Sequence, residues 1–262
     1  LEKDSAVVVW NKLINHCEET GFYQGAAYCY FKLAISLSIN GDYFDSYVAF
    51  QKSKNYYNEI GYKNGIASVY NGLGNLFNTL KKPKEALSNY YSSIEIYKEL
   101  NDNTFGTIFL NIGGILVEID SVQTAKKYLI QSKLILNTLK DTSGLVNCFI
   151  NLAQVFNAEK NTDSIQYYLV KSNEFAKGEV DIVDKFNAKL YLGEFYLKEG
   201  MIEDAKPLLT DAYNLSENEN NIKFIIDWEK GQKTGFFIDQ RENRHLLAQF
   251  AKNKKVLNLF SY

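Results

Sequence analysis

Few side chains in this sequence could do covalent chemistry, and none stands in a constellation that would let it. Cys17, Cys29 and Cys148 are the available thiols. A thiolate could attack carbon or hold a metal, yet the three are odd in number and scattered. All fall within helical stretches of the pattern, where buried, reduced thiols are expected. His16 and His245 each lack a Cys, Asp or Glu at ligand spacing, which argues against a metal centre. Gly72-Leu73-Gly74 and Gly113-Gly114 could suggest a phosphate-cradling loop, but no Lys-Ser/Thr pair follows and both read as mid-helix packing glycines. Lys81-Lys82 and Lys126-Lys127 read as solvated residues in or near turns. No Ser/His/Asp or paired-carboxylate set appears, so no hydrolase is expected and no catalytic or metal residue is named.

What the sequence does organise is amides. Asn71, Asn75 and Asn78 stand at i, i+4 and i+7, hence on one face of a helix. Two units later Gln154 and Asn157 occupy the places of Asn75 and Asn78, with Asn147 two turns before Gln154, and Asn187 and Glu194 follow in the fifth unit. An amide carries donors and an acceptor, so a row of them can pair with the backbone of an extended peptide whatever its side chains. The other reading is that asparagine is abundant here and these residues are merely solvated.

The elements that must position those amides announce themselves by repetition. Ala34/Ser46, Gly74/Ala86, Gly113/Ala125, Ala153/Ser164 and Gly193/Ala205 are pairs of small residues eleven or twelve positions apart. Successive first members are 40, 39, 40 and 40 residues apart. Helices approach closely only where side chains are small, so each pair marks the crossing of a helical hairpin. The stretch Ile66–Leu80 carries Val69, Tyr70, Leu73, Leu76 and Phe77 as one apolar stripe. Its partner, roughly Pro83–Leu100, opens on a proline whose missing amide hydrogen would be unpaired anyway. Residues 4–19 read as the second helix of a preceding unit, because Gly21 lies 40 before Gly61. One hairpin cannot bury its own apolar face, so stacking must stabilise the array.

The residues around each pair carry a family likeness. Tyr70, Leu73, Gly74, Phe77, Ala86 and Tyr90 are spaced aromatic-x2-Leu-Gly-x2-aromatic, then Ala-x3-aromatic. Tyr30, Leu33, Ala34, Leu37, Ser46 and Phe50 match it, as do Phe109, Ile112, Gly113, Leu116, Ala125 and Leu129, and Phe149, Leu152, Ala153, Phe156, Ser164 and Tyr168. The fifth unit keeps Leu192, Gly193, Tyr196, Ala205 and Leu209 but puts Lys189 at the first aromatic position. Over residues 1–216 the chain resembles the tetratricopeptide repeat family, in a longer form of about forty residues. The proline usual after the second helix is missing, and turns such as Gly61-Tyr62-Lys63-Asn64 take its place. The resemblance implies an α-solenoid of about five hairpins whose first helices line an inner, concave face.

Composition sets the outer bounds. With 46% hydrophobic and 15% aromatic residues in 262, a large core can be buried. Net charge is −2, which argues for neither nucleic acid nor an acidic membrane as partner of the whole chain. No apolar run of membrane-spanning length occurs and no signal peptide is read at the N-terminus; a cytoplasmic location is expected, the alternative being a domain outside the membrane of a larger receptor. The chain begins on Leu1, and both its ends read as cut.

Residues 217–262 break the period. Glu217–Asn221 reads as a polar linker, Ile222–Trp228 as a strand, and Gly231–Phe237 as a glycine-flanked loop. Asp239 and Glu242 form a capping box for a short helix through about Lys252, and Val256–Tyr262 reads as a second strand. Eight Lys/Arg against six Asp/Glu make this tail +2, leaving −4 for residues 1–216. The run Gly231–Arg244 resembles the opening segment of S-adenosylmethionine-dependent methyltransferases that make 5-methylcytosine in large-subunit ribosomal RNA. That resemblance implies that Gln232, Lys233, Thr234, Asp239, Gln240, Arg241, Asn243 and Arg244 approach the cofactor or organise its cleft. It also implies that the glycine turn, ribose-binding acid and catalytic cysteine of such a domain are not in this sequence. Methylating a ring carbon of cytosine needs an attacking thiolate, and no cysteine follows Cys148.

The expectation is therefore an all-α solenoid over 1–216, followed by a short α/β fragment (strand–loop–helix–strand) over 217–262. Its function would be to bind a protein or extended peptide, as the interaction or sensor module of a bacterial signalling or regulatory protein. The alternative is a fragment of an RNA methyltransferase fused to the repeats, with S-adenosylmethionine as cofactor only in a complete domain and RNA as partner only then. The switch near Ser216 would be either a natural fusion or a joining of two coding sequences.

Overall fold

The computed structural model describes residues 2–102 and 104–218, and those residues form eleven α-helices. They are α1 (Glu2–Glu19), α2 (Tyr23–Asn40), α3 (Tyr43–Glu59), α4 (Lys63–Thr79), α5 (Pro83–Glu99), α6 (Gly106–Glu118), α7 (Val122–Leu139), α8 (Thr142–Ala158), α9 (Thr162–Phe175), α10 (Ile182–Lys198) and α11 (Ile202–Asn218). The expected strand–loop–helix–strand fragment lies outside the described residues apart from its first two positions, Glu217 and Asn218. Those two, expected in a linker, continue α11 instead. One compact unit comprises Leu1–Leu215.

Helix breaks recur with the period of the sequence. Gly21, Gly41, Gly61, Lys81, Asn101, Asp120, Lys140, Lys160 and Gly200 all have positive φ. Each ends a helix in the left-handed conformation, and the next amide reaches back five residues, as Asp42 N does to Leu37 O at 2.9 Å and Lys82 N to Phe77 O at 2.9 Å. That turn satisfies carbonyls the helix end would otherwise leave open, and it replaces the absent proline. Glycine takes the strained position at no steric cost in four of these turns, while lysine, asparagine or aspartate bears it in five.

In four of the five hairpins the small pair sits where two helices touch, whereas in the fourth Ser164 is half-buried and its neighbour Ile165 packs with Ala153. Ala34, Ser46, Ala86, Ala125 and Ala205 have no exposed surface. A Cβ added to Gly74 would strike the ring of Tyr90, and one added to Gly113 would lie 2.5 Å from Leu129 Cδ2. A third tie was not read from the sequence. Ser53, Ser93, Ser132 and Ser172 are fully buried, and each donates its hydroxyl to a carbonyl 26 residues earlier. The acceptors are Ala27, Ala67, Gly106 and Val146, at 2.8, 2.8, 2.8 and 3.0 Å. A hydroxyl buried between helices needs such a partner.

Curvature follows from which helices meet. The backbones of α2, α4, α6, α8 and α10 each approach the next in that series, whereas α3, α5, α7 and α9 meet only through long side chains, as Tyr91 and Tyr128 do with ring centroids 6.3 Å apart. The first helices of the hairpins therefore line the inner side of the bend and the second helices its outer side. Lys189, the odd residue of the fifth unit, is accounted for here: its ammonium pairs with Asp211 of α11 at 2.8 Å, so a charge pair joins α10 to α11 at this position.

Candidate functional site

Covalent chemistry has little to work with among the described residues. Cys17, Cys29 and Cys148 are buried free thiols. Burial pushes the Cys148 thiol up to about 12, against smaller opposing effects from Ser132 and Lys133, so it is protonated at neutral pH. No group of three or more His, Cys, Asp or Glu that could hold a metal occurs among the described residues. Lys126, expected to be solvated, is instead half-buried: its ammonium sits 2.8 Å from Glu159 and 4.3 Å from the Phe156 ring centroid. That hydrogen bond holds the Glu159 carboxyl below its ordinary range.

The organised polar chemistry lies along the inner face, where side chains of one first helix meet those of the next. Asn75 Oδ1 accepts from the Tyr90 hydroxyl at 2.6 Å and from Asn111 Nδ2 at 3.1 Å. Asn147 Nδ2 donates to Asp184 Oδ1 at 2.7 Å and to the Ser143 carbonyl at 3.1 Å. Burial first, and then the nearby Glu194 carboxylate, raise the Tyr191 pKa against a smaller opposing effect of the neighbouring Gln154 amide. A Cβ on Gly114 would come 3.2 Å from Asn151 Nδ2, so these two positions also face each other. Hydrogen-bonded rungs join first helices at Asn75/Asn111 and Asn147/Asp184, with sequence separations of 36 and 37.

Of the eight face residues named from the sequence, Asn75 and Asn147 use part of their bonding capacity between helices, and Gln154 lies half-buried near Tyr191. Asn71 is half-buried and its Oδ1 has no partner. Asn78 and Asn187 are half-buried and Asn157 is exposed, with no side-chain bond to a described residue. Glu194 is half-buried, carries no hydrogen bond or ion pair to a described residue, and burial pushes its carboxyl up to about 7. Asn111, Asp184 and Tyr191 were missed, although their spacing from known face residues would have found them. The cofactor-approach residues Gln232, Lys233, Thr234, Asp239, Gln240, Arg241, Asn243 and Arg244 lie outside the described residues.

At the α2–α4 end the face opens into a cavity of about 510 Å³ lined by Phe22, Tyr28, Phe31, Tyr57 and Tyr62. It exists because Gly25 and Gly65, 40 residues apart, present no side chain there; a Cβ on Gly65 would lie 2.6 Å from the Tyr57 ring.

Residues 9–99 match the family model for the tetratricopeptide repeat. The hairpins within that stretch are tetratricopeptide repeats. BtubC (BKLC) from P. vanneervenii shares the fold with a TM-score of 0.70 at 14% identity, over 85% of this chain and 94% of that one. A Rap protein complexed with Competence and Sporulation Factor shares it with a TM-score of 0.59 at 12% identity, over 81% and 58%. Likenesses at this identity establish the fold alone. A different similarity covers a short stretch. The ribosomal RNA large subunit methyltransferase I of Pseudoalteromonas atlantica is 44% identical over 66 residues, and that of Shewanella amazonensis 54% identical over 51. Those stretches are 25% and 20% of this chain, which spans only 17% and 13% of the enzymes' lengths. None of the described helices is long and apolar enough to cross a membrane.

Proposed function

We propose that this chain is a binding module that holds an extended peptide, or an extended segment of a partner protein, along the inner face of its first helices. The single observation that carries this is the row of side chains on that face with bonding capacity to give: Asn71, Asn78, Asn157 and Asn187, set in register by a ladder of helix-to-helix bonds. Backbone amides and carbonyls of an extended strand need both donors and acceptors at regular intervals, which asparagine supplies. The ring-lined cavity between α2 and α4 adds a place for one apolar side chain. A role as sensor or interaction module of a bacterial signalling or regulatory protein fits this reading, and a Rap protein of the same fold has been solved with a factor bound.

The test is a binding screen of capped decapeptides against wild type, Asn78→Ala and Asn157→Ala. Both substitutions remove amides that no described residue uses, so folding should be unchanged. Each should weaken the peptides bound by wild type about three- to tenfold, the size of one hydrogen bond. Equal affinity in all three proteins would remove the amide row from the account.

The short methyltransferase match supports a second reading, a natural fusion in which the repeats serve an RNA-methylating enzyme. S-adenosylmethionine would then belong to the larger protein. Calorimetry of this chain with S-adenosylmethionine should show no heat of binding; micromolar binding would favour the second reading. A continuous read of the source DNA from the codon of Asp204 past Tyr262 would show whether the repeats and the tail share one reading frame.

A further inference from the structure

On the inner face Glu194 carries a charge that no described residue meets. Asn75 follows the crossing residue Gly74 and meets Asn111 of the next first helix. Glu194 follows Gly193 and is the fifth unit's residue at that position, with no hydrogen bond or ion pair to a described residue.

Among the described residues none supplies a counter-charge. Helix α8, stacked beside α10, has no charged residue along its whole length. On α9, Lys171 pairs with Glu174 at 2.7 Å, and Asp163 is exposed. On α10 itself Lys189 is held by Asp211 and Asp184 by Asn147, Lys185 lies more than two turns before Glu194, and Lys198 is exposed. The charges of α11, namely Glu203, Asp204, Lys206 and Asp211, are exposed. Asp184, Asn187, Tyr191 and Glu194 follow one another at intervals of three, four and three, so they form one stripe of α10. Glu194 thus sits on the same face as the Asn147/Asp184 pair and beside Tyr191, as a half-buried carboxyl with no partner among the described residues.

We propose that Glu194 sets the charge specificity of this groove, receiving the ammonium or guanidinium group of a lysine or arginine in the bound peptide. This rests on the peptide-binding reading above. A cation here would be met by a carboxylate with little competing water, where charge pairing is stronger than at an exposed site. Burial alone already disfavours the unpaired carboxylate, so an arriving cation would draw the group into its ionised form and release a proton. Tyr191, one turn away, offers a ring beside which the aliphatic stem of such a side chain can lie.

The experiment uses the full chain and capped decapeptides on a neutral Ala/Val/Ser/Thr background, with each position in turn set to lysine, norleucine or glutamate. Wild type should prefer lysine over norleucine by about tenfold at one position, roughly the worth of one charge-assisted bond. Glu194→Gln should cut that preference to below about twofold while keeping its affinity for the norleucine peptides. In wild type the preference should grow as pH rises from 6 to 8, a result that needs no folded variant. Lysine and norleucine bound alike by wild type would overturn the proposal, as would a preference that survives Glu194→Gln. If no peptide in the array binds, the peptide-binding reading fails first and this inference falls with it. Norleucine binding without any lysine preference would sink the inference alone.

Discussion

The hydroxyl of Ser93 donates to the carbonyl of Ala67 at 2.8 Å across 26 residues, and the same bond joins Ser53 to Ala27, Ser132 to Gly106 and Ser172 to Val146. Each of these serines is completely buried between two helices of one hairpin. Replacing Ser93 with alanine removes the donor and leaves a small void. The expected cost is about 1–2 kcal/mol, seen as a lower midpoint of urea unfolding monitored by circular dichroism. Ser132→Ala should behave alike, and a neutral outcome for both would show that the hydroxyls do no more than fill space.

Two glycines of the first helices should respond in opposite ways to the same substitution. In Gly74→Ala the new methyl meets the Tyr90 ring, which is fully buried and anchored through its hydroxyl to Asn75. The ring cannot yield without breaking that bond, so a loss of about 2–3 kcal/mol is expected. Gly114→Ala meets only the end of the Asn151 side chain, at 3.2 Å. Alanine's better helix propensity, about 1 kcal/mol, should then make that change neutral or stabilising in the same unfolding assay.

Lys140 ends α7 with φ of +57°, a conformation that costs a side-chain-bearing residue energy. Glycine there should stabilise the chain by about 0.5–1 kcal/mol, after its greater freedom when unfolded is set against the relieved strain. Thermal melts of Lys140→Gly, compared with the fully helical control Lys133→Gly, separate the two effects, because the control should destabilise.

Glu194 gives a pH dependence of definite sign. Its carboxyl, pushed up to about 7 by burial from an ordinary value of 4.5, binds a proton more tightly folded than unfolded. Stability from this group is therefore present below about pH 4.5 and falls as pH rises towards 7. Glu194→Gln should not show this fall, and near pH 8 it should exceed wild type by about 1–2 kcal/mol. Parallel stability–pH curves for the two proteins would remove the buried-carboxyl account.

Much of the scaffold was legible because its packing rules act on residue size at fixed intervals. A crossing point needs a small residue, and the five pairs beginning with Ala34/Ser46 declare it without reference to anything distant. Helix ends were legible for the same local reason, as with Pro83 opening α5. The serine bonds escaped notice although Ser53, Ser93, Ser132 and Ser172 keep the period, because serine in a helix reads as surface until its burial is known. The candidate site was harder. Asn75 and Asn147 were found as part of a face, but that each already bonds to a neighbouring helix depends on how hairpins stack. Glu194 looked like one more polar face residue; its lack of a counter-ion is a property of three helices together.

Every tie described between hairpins reaches only the next one along: 36 residues from Asn75 to Asn111, 37 from Asn147 to Asp184. Such a molecule has no centre. Damage to α10 is not communicated to α2 except through each intervening neighbour, so the two ends can open and close on their own schedules. A ligand lying along the inner face would be the first thing to touch several hairpins at once. It would act as a splint, and the signal of its arrival would be that distant repeats begin to melt together.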